Sequence, residues 1–449
     1  MTKKELSRIQ KLVANVKKAG ADQVDAYYEW GREAEITARD GAVENLKQAT
    51  STGLGLRVFK DNRLGFGYTS DLSDDGLARL AEQVLAIAAN TADDKNNGLP
   101  PSELIAPVKR LPDVFDPRVE ALTNEELAKW AIEIEKASLA GDPRVKKVED
   151  AGAGSYVQRT ALVNSEGFSG TSEKTYAWLY SVVVGEQDDQ KQSAWWSDFA
   201  THLADLDDPE SVARQAVNRA ARMLGARKIE SGEMPIIFEP AMTKSFIRGL
   251  LGAINGDMIY KKSSFLLDRL GEQVASELIT IVDDGTLDRR TGSCPFDGEG
   301  LTTERKLLVG RGVLKQYIYD TYTANKAGAK PTGTASREYS SLPGIGTTNF
   351  FLEPGKTPVA DMFKGIKKGL LITDMMGRGA NTVNGEYSRG ANGILIENGE
   401  LTHPVQEITV GGNMIEMLRE IDAVGEDMDW RGATGAPSIR FAKLTVAGK

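Results

Sequence analysis

Strong metal ligands are scarce in this chain. It has two histidines, His202 and His403, and one cysteine, Cys294. Two histidines are too few for a His-rich zinc site, and neither has another strong ligand close by in sequence. A Ser-His-Asp triad could use one of them. However, His403 precedes Pro404 at a strand end and His202 follows an aromatic run, so each reads as structural or exposed. A lone cysteine excludes an intrachain disulfide and fits a reducing compartment. The run Gly292-Ser293-Cys294-Pro295 holds no base, so the thiol reads as inert. Clustered positive charge is missing too. The formal net charge is −9, with Lys, Arg, Asp and Glu interspersed, which argues against a nucleic-acid surface. No stretch reaches the ~20 apolar residues of a membrane span. After Met1-Thr2-Lys3-Lys4-Glu5, the apolar Leu6, Ile9, Val13 and Val16 come at helical spacing among lysines. That pattern is not the unbroken apolar core of a signal peptide. The expectation is a cytoplasmic protein that meets neither membrane nor nucleic acid directly.

Phosphate loops are also absent. Gly-x-Gly occurs several times, as at Gly53/Gly55, Gly344/Gly346 and Gly377/Gly379, none with a third glycine at the required offset, and the one Gly-Lys-Thr, Gly355-Lys356-Thr357, has Phe350 where the first glycine of a phosphate loop would stand. These pairs read as turn and bulge glycines. Gly385-Glu386-Tyr387-Ser388-Arg389-Gly390 is one residue out of step with a nucleophile elbow; it reads as a tight loop whose glycines admit another chain. Asp283-Asp284 before Gly285 lacks the alternating ligands of a calcium loop and reads as a strand-ending turn.

What is present is a globular chain. Its 449 residues, 41% of them hydrophobic, suffice for two domains. A helix is predicted over about 3–19 and a strand over 23–30, followed by a strand pair at 51–59 and 63–70 with its turn at Lys60-Asp61-Asn62. The stripe Leu77, Leu80, Ala81, Val84, Leu85, Ala88 predicts a helix from Ser73. Five prolines between 98 and 118 predict a surface excursion outside the core. Thr123-Asn124-Glu125-Glu126 is a capping box for a helix burying Leu127, Trp130, Ala131 and Ile134. Strands follow to about residue 200, and Asp208-Pro209 opens another helix. The polar stretch 228–233 is the expected boundary between an N-terminal domain (1–229) and a strand-rich C-terminal domain (230–449). Helices are expected at 243–254 and from Pro358, with Val359, Met362, Phe363 and Ile366 inward. Gly310-Arg311-Gly312 and Asn398-Gly399 are hairpin signals. Strands and helices do not alternate as βαβ units, so the class is α+β. The N-terminal helices should pack on antiparallel sheet, and the C-terminal domain should be a barrel-like or curved antiparallel sheet with inserted helices.

One block stands out: Gly385 to Gly393, then the hairpin Ile394-Leu395-Ile396-Glu397-Asn398-Gly399-Glu400-Leu401, then Glu407-Ile408-Thr409-Val410-Gly411-Gly412-Asn413. Upstream lie Tyr260-Lys261-Lys262-Ser263-Ser264-Phe265, Thr280-Ile281-Val282-Asp283-Asp284-Gly285-Thr286-Leu287, Phe296-Asp297-Gly298-Glu299-Gly300 and Pro331-Thr332-Gly333. In this order and spacing the blocks resemble the TldD/PmbA family of peptidases over nearly the whole chain. The ending Thr445-Val446-Ala447-Gly448 resembles the PmbA branch, also called TldE.

The resemblance implies a zinc motif, HExxxH, in catalytic TldD members, with a further cysteine ligand near the C-terminus. Counted back from Gly256-Asp257, the motif falls on Ile247 to Gly252. Ile247 and Gly252 stand where the histidines would be and Arg248 where the glutamate would be. An arginine stays charged, cannot act as a base and repels a dication. No histidine occurs between 203 and 402, and no cysteine between 424 and 438. The chain is therefore expected to carry no metal and no catalytic residue of its own, with zinc only in a TldD partner. It would serve as the non-catalytic subunit of a TldD/TldE-type peptidase and help enclose unfolded peptides, held along an exposed strand edge of the second half. Tyr387, Ser388 and Arg389 are the candidate lining residues; the alternative for them is a hairpin anchor inside the fold. A self-sufficient homodimer binding peptides or a small ligand is the second reading. A metal-free hydrolase using Ser388, Lys261 or Lys262 is the third. The family is also described as modulating DNA gyrase, a link expected to run through a protein substrate.

Overall fold

The strands of the first half are far longer than the usual ~5–6 residues. The computed structural model describes residues 3–449, with only the backbone of Lys3. Helix α1 (Lys3–Lys18) leads into β1 (Gln23–Arg39), β2 (Ala42–Lys60) and β3 (Arg63–Thr69). After α2 (Asp74–Asn90), α3 (Pro117–Glu120) and α4 (Asn124–Gly141) come β4 (Val145–Asn164), β5 (Ser169–Gln187) and β6 (Gln190–Ala200), then α5 (Pro209–Ala221). The six strands form one antiparallel sheet in the order β3-β2-β1-β4-β5-β6. Both expected caps are made: Thr123 and Glu126 close a capping box and Asp208 accepts from Ser211 N–H; at the expected helix start Ser73 also caps, accepting from Gly76 N–H. The short strands predicted at 23–30 and 51–59 are segments of longer ones. The β1–β2 turn at Asp40-Gly41 carried little hydrophobic signal, because most of Ala42–Thr52 is exposed. That turn is held instead by the buried Glu135 of α4, which accepts from the Asp40 and Gly41 amides at 2.7 and 2.9 Å.

Strand alternation explains the layering. Val24, Ala26, Tyr28, Ile36 and Ala38 of β1 face the helices: α1 and α2 cover one end of the sheet, α4 and α5 the other. Asp25 and Tyr27, one residue out of phase, face the C-terminal half and contact Arg337 there. Gly53 and Gly55, read as turn or bulge glycines, lie within β2 in the predicted strand 51–59, at positions without a bulge. A Cβ on Gly53 would sit 2.1 Å from the Tyr339 ring, and one on Gly55 2.2 Å from the Tyr339 carbonyl. Glycine there lets the two halves approach closely. The proline-rich segment is likewise not wholly superficial, since Leu99, Val114 and Asp116 are buried.

The second half continues with β7 (Gly232–Phe238), α6 (Pro240–Ile247), α7 (Gly249–Ile254), α8 (Gly256–Tyr260), β8 (Ile281–Asp284), β9 (Arg305–Gly310) and β10 (Val313–Leu314). Next are α9 (Thr321–Ala327), β11 (Ala335–Ser336), β12 (Gly344–Ile345), β13 (Phe350–Leu352), α10 (Val359–Met362) and β14 (Lys368–Met376). Last are β15 (Glu386–Glu397), β16 (Glu400–Asn413), α11 (Met414–Arg419), β17 (Ile421–Val424), β18 (Thr434–Gly435) and β19 (Ile439–Ala447). Strands β16, β15, β14, β7 and β19 pair in that order, and β19 pairs again with β16, closing a five-stranded barrel. The α+β class and the barrel-like second half agree with the sequence. The barrel itself offers no strand edge, because closure removes edges, but the second half also holds an open sheet in the order β10-β9-β8-β13-β18. The long free edge belongs to β2, whose pairing with β3 begins only at Leu54. Val359 is exposed, unlike the buried Met362 and Ile366.

Candidate functional site

The expected helix at 243–254 is two helices. It starts earlier, with Pro240 in the first turn of α6, and breaks at Arg248 before α7. Phe246 fixes its position. Its ring is edge-on to Phe238, Tyr387 and Phe441, with centroids 5.8, 5.5 and 5.5 Å away. These aromatic contacts belong to the core cluster that includes the barrel strands. The opposite helix face, Ser245, Arg248, Gly249 and Gly252, lines an open cleft of about 310 Å³. Gly377, Gly379, Ala380, Thr382 and Arg389 complete its wall.

The three positions where a zinc motif was counted do not converge. Arg248 and Gly252 line the cleft, but Ile247 is buried in the core. A side chain at Gly252 would place its Cβ 2.7 Å from Thr382 Oγ1. The cleft lining contains no histidine, cysteine or carboxylate. Among the described residues no group of three or more His, Cys, Asp or Glu is placed to hold a metal ion. These residues do not fit a zinc ion, because the wall offers two guanidiniums and no anionic or imidazole donor.

The three candidate lining residues part company. Tyr387 is buried, and its hydroxyl donates toward Met375 Sδ at 3.2 Å. It is a core anchor of β15, not a lining residue. Ser388 is exposed and its neighbours on β15 are buried, so it points away from the core. Arg389 does reach the cleft: Nη1 donates to Ser245 Oγ at 2.5 Å and Nη2 to the Met375 carbonyl at 3.0 Å. Lys261 is exposed and paired with Asp257 at 2.6 Å.

A larger cleft of about 570 Å³ adjoins the first and shares Ser245 with it. Trp195, Trp196, Arg219, Arg222, Lys244 and Arg431 line it. The Trp196 ring lies between two guanidiniums, Arg219 at 5.0 Å and Arg431 at 3.4 Å from its centroid. Glu239 pairs with Arg219 and Arg222 at 3.1 and 2.8 Å. Asp429 pairs with Arg431 and, at 3.0 Å, with Lys244. Burial pushes the Asp429 carboxyl up, but the Arg431 hydrogen bond and the Lys244 charge outweigh it and hold it at about 2. Burial pulls the Lys244 ammonium down. The buried indole N–H of Trp196 and Nε of Arg222, both on residues of the trough wall, have no partner, nor has Nε of Arg389 in the smaller cleft. Sequence reading missed this wall, whose only trace was the adjacent Trp195-Trp196.

Other singled-out residues are structural. His202 is buried between Thr201 Oγ1 at 2.9 Å and Asp113 Oδ1 at 3.2 Å. Asp283, inside β8, has Lys306 at 3.7 Å and accepts from Thr348. Burial pushes the Cys294 thiol up to about 11.

Profiles described as PmbA/TldA metallopeptidase domain 1, central domain and C-terminal domain match residues 24–88, 117–224 and 231–448. A metalloprotease PmbA from Escherichia coli O157:H7 is 32% identical over 92% of this chain and 90% of its own length. The chain belongs to the PmbA/TldD metallopeptidase family. A crystal structure from Bacteroides thetaiotaomicron, described as a candidate modulator of DNA gyrase, superposes with a TM-score of 0.92 at 26% identity and full coverage of both chains. TldE from Thermococcus kodakarensis shares the fold, with a TM-score of 0.88 at 22% identity over 98% of this chain and all of that one. Family membership thus agrees with the sequence signature at Gly385–Asn413. No helix among the described residues is long and apolar enough to cross a membrane.

Proposed function

We propose that this chain is a non-catalytic subunit of a TldD/TldE-type metallopeptidase, enclosing unfolded peptide for hydrolysis by a zinc-bearing TldD partner. One observation carries the reading: the cleft beside the broken helix is walled by Arg248 and Arg389 where a peptidase of this family needs metal ligands. No hydrolytic step can be written with these side chains. The adjoining trough supports a holding role. Its tryptophans offer sequence-tolerant apolar contact, and its arginines donors, to an extended peptide. The free edge of β2 from Ala42 to Gly53 offers main-chain groups to a partner strand.

The test is reconstitution. The purified chain is assayed for peptide cleavage alone and after mixing with a TldD-like protein, with complex formation followed by light scattering. The proposal expects cleavage only in the mixture, and a complex of the two chains. A tight homodimer that ignores the TldD-like protein, or cleavage by the lone chain, would overturn it.

A further inference from the structure

We propose that the trough and the smaller cleft together select acidic peptide segments, whose Asp or Glu side chains meet Arg248 and the guanidiniums of the trough. The inference rests on the holding role proposed above and names the peptide class it favours. The two clefts meet along one helix face. Lys244 of the trough and Arg248 of the cleft stand four residues apart, on α6 and at its C-terminal cap, and Ser245 lines both clefts.

Charge is unevenly divided on these walls. Arg219, Arg222, Lys244 and Arg431 line the trough, and Arg248 and Arg389 the cleft. Asp374 is the single carboxylate among the lining residues, and it accepts from Asn392 at 3.5 Å. Behind the wall Glu239 is shared by Arg219 and Arg222, and Asp429 by Lys244 and Arg431. Six cations thus face three carboxylates, on a chain whose formal net charge is −9. The trough cations keep accessible surface: the Arg222, Arg431 and Arg219 side chains are 30%, 21% and 18% exposed. Arg248 is exposed, and its guanidinium has no ion-pair or hydrogen-bond partner among the described residues. Arg389 is bound only to neutral oxygens, those of Ser245 and Met375. Burial lowers the Arg219 guanidinium and the Lys244 ammonium, and repulsion from Arg431 adds to it in both. An incoming carboxylate relieves that repulsion, and a cleft lined by one sign of charge draws ligands of the other. The excess is spread over both clefts, so several side-chain carboxylates on one segment match it better than a single chain terminus. The exposed ring of Trp195 supplies apolar contact to the same segment.

The full chain should be titrated with dye-labelled, C-terminally amidated peptides and followed by fluorescence anisotropy. One unstructured sequence carries three glutamates, replaced by glutamine in a second and by lysine in a third. The Glu peptide should bind more tightly than the Gln peptide on the order of tenfold, and the Lys peptide most weakly. High sodium chloride should erase most of the difference. Arg248→Gln should weaken the Glu peptide several-fold and leave the Gln peptide unchanged, whereas Trp195→Ala should weaken both alike. Circular dichroism checks that each variant is folded; should Arg248→Gln fail to fold, Arg222→Gln decides on the same terms. Equal affinity for the three peptides, or a loss in the arginine variant shared by the Gln peptide, overturns the selection and leaves the holding role standing. Binding by none of them overturns both. Tighter binding of a Gln peptide with a free C-terminus, or of a single-stranded oligonucleotide, than of the Glu peptide also overturns the selection.

Discussion

Replacing Arg57 by Met tests what joins the two halves. Arg57 is buried on β2; its Nη2 and Nε donate to Asp25 Oδ2 at 2.6 and 3.1 Å, and its Nη1 to Glu299 Oε1 of the second half at 3.1 Å. The three side chains are 6%, 1% and 2% exposed. At an effective dielectric of ~20, each contact is worth about 4 kcal/mol before desolvation. Removing one member of a buried set costs about 3–5 kcal/mol, because the others keep their desolvation penalty. Asp25 would keep Arg337 at 3.0 Å, while Glu299 would keep only the Thr321 amide at 2.8 Å. Urea unfolding of Arg57→Met should therefore show a loss of about 3–5 kcal/mol. The double variant Arg57→Met/Glu299→Gln should lose less than the sum of the singles by more than ~1 kcal/mol. The pH dependence has a definite sign. Burial raises the Asp25 carboxyl, but Arg337 and Arg57 together hold it below its ordinary value. Its contribution is thus present above the unfolded carboxylate range and lost as pH falls through the lowered folded value. Without Arg57 the lowering shrinks, so acid unfolding should begin at higher pH. A loss below ~1 kcal/mol, or strict additivity, would refute the coupling.

Cys294, half-buried with its thiol pushed up to about 11, should react with iodoacetamide at pH 8 roughly a hundredfold more slowly in the native chain than in urea; equal rates would contradict the raised thiol. Tyr387→Phe should cost less than about 1 kcal/mol and Tyr387→Ala about 3–5 kcal/mol by urea unfolding, since the ring and not the hydroxyl anchors the core; a neutral alanine variant would return the residue to the surface. Ser388→Ala should shift stability by no more than ~0.5 kcal/mol and leave cleavage by the reconstituted complex unchanged; lost cleavage would favour a serine mechanism.

Much of this was legible in local pattern. The caps at Ser73, Thr123 and Asp208 and the Asn398-Gly399 turn depend on neighbouring residues only, and each is found where expected. Long-range consequences were not legible. Gly53 and Gly55 read as turn or bulge glycines because the tyrosine that requires them lies some 280 positions away, at Tyr339. The break at Arg248 separates Ile247 from Arg248 and Gly252, which a gapless count cannot reveal. Tyr387 and Arg389 share the buried phase of β15 but end differently: one in the core, the other in a cleft built by α6 and the 377–382 loop. The cationic trough draws on residues from 192 to 431, so no single segment announced it.

On the proposed function, this chain assists a hydrolysis that only its TldD-like partner performs. Metal analysis of the purified chain, alone and co-expressed with a TldD-like protein, tests it most directly. The lone chain is expected to hold no stoichiometric zinc, and the complex to hold zinc in proportion to the partner. Stoichiometric zinc in the lone chain, lost together with peptide cleavage on chelation, would contradict it.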